Sequence, residues 1–217
     1  MDSTERKKRK KERIQGLFID AAETRFLESG YEQVSVEAIA EDIGYTKRTF
    51  YVYFKDKEEI FAAVTFRTLS ALFQQLLLAA SSKETGLDKL TSIGYAYYKY
   101  MKAFPYHFGL NQMFELKNYA NDQLSKIDKE REFTCACVQK DKEITVLVKE
   151  IIALGREDGS IDSSQSDDGL LLFMFGTTFG MLQALKHQEK YIGTGKEAQK
   201  DDFFKDFIQL IIQSVSK

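Results

Sequence analysis

One proline, two cysteines, two histidines and no tryptophan in 217 residues set the first limits on this chain. A single proline leaves long uninterrupted helices open almost everywhere. His107 and His187 lie eighty positions apart, so neither an HExxH zinc helix nor a histidine-based triad can be assembled locally. Cys135 and Cys137 are two apart, on nearly opposite sides of an expected helix. They cannot easily bridge each other, and their spacing is not that of a CxxC redox or zinc motif. A reduced, cytoplasmic setting fits them. No GxGxxG and no P-loop occurs, and the pairs Asp167-Asp168 and Asp201-Asp202 open expected helices, where the helix dipole explains them. An enzyme is not expected, nor is a metal or a cofactor.

Two further absences concern membranes. Nothing apolar follows the basic start until Ile14, so no signal peptide is expected. The uncharged run 169–185 is seventeen residues long, at the short limit for spanning about 30 Å of hydrocarbon. It contains two threonines and a glutamine and has no basic flank on its N-terminal side. A helix buried on all sides, as in a dimer interface, is favoured over a membrane span. Gly176 and Gly180 in this run form a GxxxG, which permits close helix contact in water as in lipid.

What is present is helical. Hydrophobic residues make up 43% of the chain, enough for a real core and too many for disorder. Apolar residues at helical spacing predict helices over about 10–29, 36–43, 47–54, 57–80, 87–104, 105–119, 122–157 (one helix or two), 167–190 and 201–215. The fold class is therefore all-α, with about nine helices. Asp56 and Glu59 have the spacing of a capping box at the start of the fourth helix. A net charge of −2 conceals a basic cluster, because residues 6–13 hold seven basic side chains against Glu12. Such a run reads either as a solvated, mobile tail or as an arm that grips phosphate or a minor groove.

Residues 34–60 are the most informative stretch. Ser35 can cap a helix carrying Val36, Ile39, Ala40 and Ile43 on one side, and Gly44 supplies the freedom for a sharp turn. Thr46 can cap a second helix, with Phe50 and Phe54 one turn apart and aimed at the core. Lys47, Arg48, Tyr51, Val52 and Tyr53 are left for solvent or a partner. That is the layout of a helix-turn-helix whose second helix enters a major groove.

The stretch resembles the DNA-binding domain of TetR/AcrR-type transcriptional regulators. The matching residues begin at Ile14, Ala21-Ala22, Phe26, Gly30-Tyr31 and Val34-Ser35-Val36. They continue through Ile39-Ala40, Gly44, Thr46 to Tyr51, Tyr53-Phe54 and Lys55 to Glu58, covering about the first quarter of the chain. The resemblance implies a basic arm (1–13), a three-helix helix-turn-helix domain (14–56) and a larger helical ligand-binding and dimerisation domain (57–217). It implies double-stranded operator DNA, a small-molecule effector and a homodimer as partners. Lys47, Arg48 and Val52 would reach bases. Ser35, Thr49, Tyr51, Tyr53 and Lys57 match positions that clamp phosphates in the family. Glu37 is a departure, since an acid facing DNA is repelled unless it accepts from a cytosine.

For the effector, the aromatic middle suggests Tyr98, Met101, His107, Asn111, Met113 and Phe114, with plain core packing as the other reading. His107, among aromatics, reads rather as a satisfied core histidine. The last two long helices would build the dimer through Phe175, Gly176, Phe179, Gly180, Phe207 and Ile211. The function implied is a ligand-responsive regulator, a repressor released by an apolar or aromatic molecule. The alternative is an all-helical adaptor that binds protein and has kept the fold without operator binding.

Overall fold

A computed structural model describes residues 3–118, 131–187 and 197–216. Among them are nine α-helices: α1 (Ser3–Ser29), α2 (Val36–Asp42), α3 (Lys47–Tyr53), α4 (Lys57–Ser81), α5 (Gly86–Ala103), α6 (Pro105–Asn118), α7 (Glu132–Glu157), α8 (Asp167–Lys186) and α9 (Glu197–Val215). A 3-10 turn, Tyr31–Gln33, lies between α1 and α2. The expected all-α class holds. The Gly193-Thr194-Gly195 turn, the end of the expected 167–190 helix and the pattern over 122–130 lie outside the described residues.

Packing divides the chain into two compact units, Met1–Ser70 with Tyr106–Lys140, and Ala71–Pro105 with Asp141–Lys217. In the first, Phe18, Phe26, Ile39, Phe50, Phe54, Ile60 and Phe114 are almost fully buried in one core. Phe18 meets Phe50 edge to face, ring centroids 5.5 Å apart, so α1 and α3 share one aromatic contact. Truncating either ring to alanine would cost about 3–5 kcal/mol by leaving a cavity. Arg25 donates to both oxygens of Asp42 at 2.6 Å, pinning α1 to the end of α2. These contacts fix the helix-turn-helix against α1.

α1 starts earlier than its apolar pattern. The basic stretch is not a separate tail but the first turns of the helix, which begins at Ser3. Lysine, arginine and glutamate are good helix formers, and the pairs Arg9–Glu5 (3.1 Å) and Lys8–Glu12 (3.9 Å) lie one turn apart. Apolar periodicity marks only the buried part of a helix, so it cannot show this exposed extension.

In the second unit, Leu72, Leu90, Ile144, Ile152 and Leu170 join another core. α5 and α7 cross where two glycines meet, and a Cβ on Gly86 would run into the backbone of Gly155. Asp158 accepts from the Gly86 amide at 2.7 Å, satisfying one of the open donors at the start of α5. Tyr98 lies flat on Phe204 at 4.1 Å and donates its hydroxyl to Asp201 at 2.7 Å, tying α5 to α9.

Among the described residues two helices, α4 and α8, are long and apolar enough to cross a membrane. The apolar window of α4 is 56% buried, that of α8 only 22%. The expectation of a helix buried on all sides thus fails for α8 within one chain. Leu170, Leu171, Leu182 and Leu185 pack inward, while Leu172, Phe173, Phe175 and Phe179 stand exposed.

Candidate nucleic-acid interface

The helix-turn-helix is built by two side-chain caps and one left-handed glycine. Ser35 Oγ accepts from the Ala38 amide at 3.1 Å and opens α2. Gly44 takes φ 71°, a conformation that side chains disfavour, and turns the chain. Thr46 Oγ1 then accepts from the Thr49 amide at 3.2 Å and opens α3. Phe50 and Phe54 anchor α3 from below. The outer face is thereby set: Arg48, Tyr51 and Val52, at i, i+3 and i+4, all point to solvent. Val52 is 71% exposed.

The remaining expected contacts are less free. Lys47 is paired with Glu37 of α2. The bond raises the lysine's pKa and lowers that of the glutamate. The acid that departs from the family pattern thus neutralises one of the two basic side chains expected to read bases. The Thr49 hydroxyl lies 3.1 Å from that of Thr46. Tyr53 is half-buried against Phe18, ring centroids 6.0 Å apart. Ser35 uses one lone pair as a cap and keeps its hydrogen to donate.

Lys57 is turned inward. It donates to the Glu32 carbonyl at 3.2 Å and lies 4.3 Å from the Tyr31 ring centroid. Burial lowers its pKa, Glu32 pulls the other way, and the charge of Lys117 adds a smaller lowering. Lys117 of α6 stands over the same ring at 4.2 Å, a neighbour that no local pattern in the sequence reveals. Burial first, then nearby acids, pushes the Tyr31 phenol up to about 12, so it remains a neutral donor at physiological pH.

Behind this face, α4 and α7 begin against each other. Asp56 caps α4 through the Glu59 amide at 2.9 Å, which is one half of the expected capping box. The Glu59 carboxylate does not return to Asp56. It accepts from the Phe133 amide of α7 at 2.8 Å, because α7 presents open N-terminal donors beside it.

The residues expected around an effector fall in both units. Tyr98 and Met101 belong to the second and are buried. His107, Asn111, Met113 and Phe114 belong to the first. His107 is half-buried, its Nε2 2.9 Å from Glu23 of α1. Phe114 is a core residue, Met113 packs on that core, and Asn111 is buried facing Thr68 at 2.5 Å. On the expected dimer face, Phe175, Gly176, Phe179 and Gly180 are exposed and Phe207 is half-buried. Ile211 is buried within its own chain, whereas Leu172 and Leu210, which the sequence reading omits, are 73% and 65% exposed. Both continue helical stripes, Leu172–Phe175–Phe179 and Phe203–Phe207–Leu210, so spacing alone could have found them.

A capped helix-turn-helix with an exposed arginine, tyrosine and valine on its second helix, set in an all-helical chain, has the layout of a DNA-reading motif. Residues 18–64 match the family described as bacterial regulatory proteins, tetR family. The N-terminal part of the chain is thus similar to the TetR-type bacterial regulatory proteins. The chain is 32% identical over 75 residues to a fatty acid metabolism regulator protein of Bacillus subtilis, a match covering 35% of this chain and 39% of the relative. Two solved structures share the fold over most of both chains. One is the fatty acid degradation regulator FadR of Bacillus halodurans (TM-score 0.66, 19% identity, 91% of this chain and 94% of that one). The other is FadR of Bacillus subtilis in complex with stearoyl-CoA (TM-score 0.65, 18% identity, 91% and 97%).

Proposed function

We propose that this protein is a cytoplasmic, homodimeric repressor that holds a palindromic operator and releases it on binding a long-chain acyl effector. The observation that carries the DNA half is the outer face of α3. Phe50 and Phe54 fix the helix, and Arg48, Tyr51 and Val52 are presented without cover. Arg48 would pair with guanine, Val52 would touch a thymine methyl, and Lys47 would join them once DNA competes it away from Glu37. Ser35, Thr49, Tyr51, Tyr53 and Lys57 would hold phosphates and set register. Residues 1–13 add positive charge, from Ser3 onward as the opening turns of α1, and residues 57–217 serve the effector and the dimer.

The dimer half rests on the bare stripes of α8 and α9, which pack against each other. Large apolar side chains exposed along two neighbouring helices favour covering, and a second copy would cover them symmetrically. Two α3 helices would then sit about one DNA turn apart, ~34–36 Å. The effector class is refined from apolar or aromatic to acyl by the likeness to regulators named for fatty acid metabolism, one of them holding stearoyl-CoA.

The test is a gel shift with the DNA flanking its own gene, with and without stearoyl-CoA. Specific retardation that micromolar stearoyl-CoA abolishes supports the reading. Retardation that no acyl-CoA alters removes the effector assignment, and no specific retardation removes the operator.

A further inference from the structure

Two lysines from different helices of the first unit share one buried ring. Tyr31 is set in the core by Phe26, ring centroids 5.4 Å apart, and by Phe61 at 4.7 Å, so its place is fixed. Lys57 Nζ of α4 lies 4.3 Å from the Tyr31 centroid and Lys117 Nζ of α6 lies 4.2 Å from it. Lys117 also stands 5.7 Å from the Phe61 centroid. The two ammonium groups are thus within two such radii of each other, although sixty positions of sequence separate them. A ring face attracts a cation at this range, but two like charges gathered there repel. Burial lowers the Lys57 pKa, and the charge of Lys117 lowers it further against the pull of Glu32.

Little in the protein neutralises the pair. The Tyr31 phenol, pushed up to about 12 by burial and nearby acids, is uncharged at physiological pH. Lys57 donates to the Glu32 carbonyl, a neutral acceptor that occupies one of its three N–H groups. Lys117 reaches the Glu32 carboxylate only at 4.0 Å, and Glu32 is exposed. Of the other acids near the ring, Asp56 is held by Arg131 and Glu58 is exposed. A solvated carboxylate at such a distance offsets little charge. The dipole of α6 accounts for a lysine in its last turn, but not for one brought against Lys57.

The position of the pair selects the anion. Lys57 opens α4 four residues after Tyr53, the end of α3. Tyr31 and Glu32 form the 3-10 turn that leads into Ser35, the cap of α2. The pair therefore lies where the helix starts on either side of α3 are expected to hold phosphate. We propose that Lys117 is a further contact to the operator backbone, joining Lys57 to hold DNA phosphates at the edge of the helix-turn-helix. This rests on the operator reading above and adds a contact from α6, the helix that carries His107, Asn111, Met113 and Phe114. Resting on a fixed ring, both side chains are ordered before DNA arrives, which lowers the entropy lost on binding.

The experiment measures DNA binding by full-length wild type, Lys117→Gln, Lys117→Arg and Lys83→Gln. The probes are a duplex from the DNA flanking its own gene and a random duplex of equal length, from about 0.05 to 0.3 M salt. Thermal unfolding of each protein is read alongside. Lys83, exposed beyond the far end of α4, controls for the lost charge. Lys117→Gln should weaken both duplexes alike, on the order of fivefold near physiological salt, and flatten the slope of log affinity against log salt by about one ion. Lys117→Arg should keep the wild-type slope, and Lys83→Gln should change neither quantity. Wild-type affinity and slope in Lys117→Gln overturn the contact. A loss of affinity with an unchanged slope and a lowered melting temperature also overturns it, because that marks a packing role over Tyr31. Tighter binding overturns it too, since Lys117 would then only repel Lys57. If Lys117→Gln binds DNA normally but needs more stearoyl-CoA for release, the pair belongs to the effector and the proposal falls. Should Lys117→Gln not fold, Lys117→Met keeps the apolar stem and decides the same question. A wild type that retards neither duplex fails at the operator reading itself, a result visible before any variant is made.

Discussion

Arg131 grips Asp56 with both arms of its guanidinium, Nη1 at 3.0 Å and Nη2 at 2.5 Å, across 75 residues of sequence. The same carboxylate caps α4, so one side chain serves a helix start and an ion pair together. The pair ties the residue directly after the helix-turn-helix to the start of α7.

Asp56 variants separate the two roles. Burial works against the Asp56 charge, but Arg131 and the α4 amides outweigh it and hold its pKa below the ordinary range. Asp56→Ala loses both cap and pair and should cost about 1–2 kcal/mol in urea unfolding. Asp56→Asn keeps a good cap and loses only a partly exposed pair, so its cost should stay below about 1 kcal/mol. Equal losses for the two would show that Arg131, and not the cap, dominates.

Glu59 gives the opposite pH signature. Burial raises its pKa above the ordinary 4.5 despite the Phe133 amide and Arg131. A raised folded-state pKa contributes stability that is complete below the unfolded value and lost as pH rises through the folded one. Glu59→Gln can still accept from α7 and carries no charge to bury. Its stability relative to wild type should therefore increase from pH 4 towards pH 7, as urea midpoints at several pH values would report. A difference that does not vary with pH would mean that the carboxylate is already as well solvated as in the unfolded chain.

These two carboxylates also show where sequence reading stops. The caps at Ser35, Thr46 and Asp56, the turn at Gly44 and the buried faces of Phe50 and Phe54 are local, set by residues within one helical turn, and each was legible. Glu59 sits at capping-box spacing, yet its carboxylate serves a helix seventy-odd positions later, and spacing carries no information about that. Arg131, Lys117 and the Thr68–Asn111 contact are hidden for the same reason. The α8 run looked like a helix buried all round because composition counts apolar residues without saying which chain covers them.

Glu37 holds Lys47 in check. Glu37→Gln removes the acid paired with Lys47 and releases the lysine, while the α2 cap on Ser35 is untouched. Binding should tighten on operator and random DNA alike, and the slope of log affinity against log salt should steepen by about one ion. Loss of operator binding in this variant would show that Glu37 reads a base, as an acceptor from cytosine does.

Arg48 and Tyr53 should differ in kind. Arg48→Ala should cost about 1–3 kcal/mol on the operator and relax preference at one base pair. Tyr53→Phe removes a hydroxyl from a ring that stays packed on Phe18, so it should weaken all sequences together. Binding to a panel of single-base operator variants distinguishes the two. A uniform loss from Arg48→Ala would make it a phosphate contact.

The bare stripes of α8 and α9 give the last expectation. Leu172 and Leu210 touch little of their own chain, so charging them costs the protomer almost nothing. Across a two-fold interface each would be buried twice, and an apolar side chain of that size contributes about 1.5–3 kcal/mol on burial. Leu172→Asp and Leu210→Asp should therefore give folded monomers with wild-type circular dichroism and much weaker operator binding. Gly180→Leu should do the same by holding the helices apart, since its Cβ would meet nothing among the described residues. Ile211→Asp is the control, because Ile211 is buried in its own protomer and its loss should unfold the chain. Sedimentation equilibrium at micromolar concentration decides. A wild type that runs as a folded monomer there would leave the exposed leucines and phenylalanines without a partner and sink the dimer.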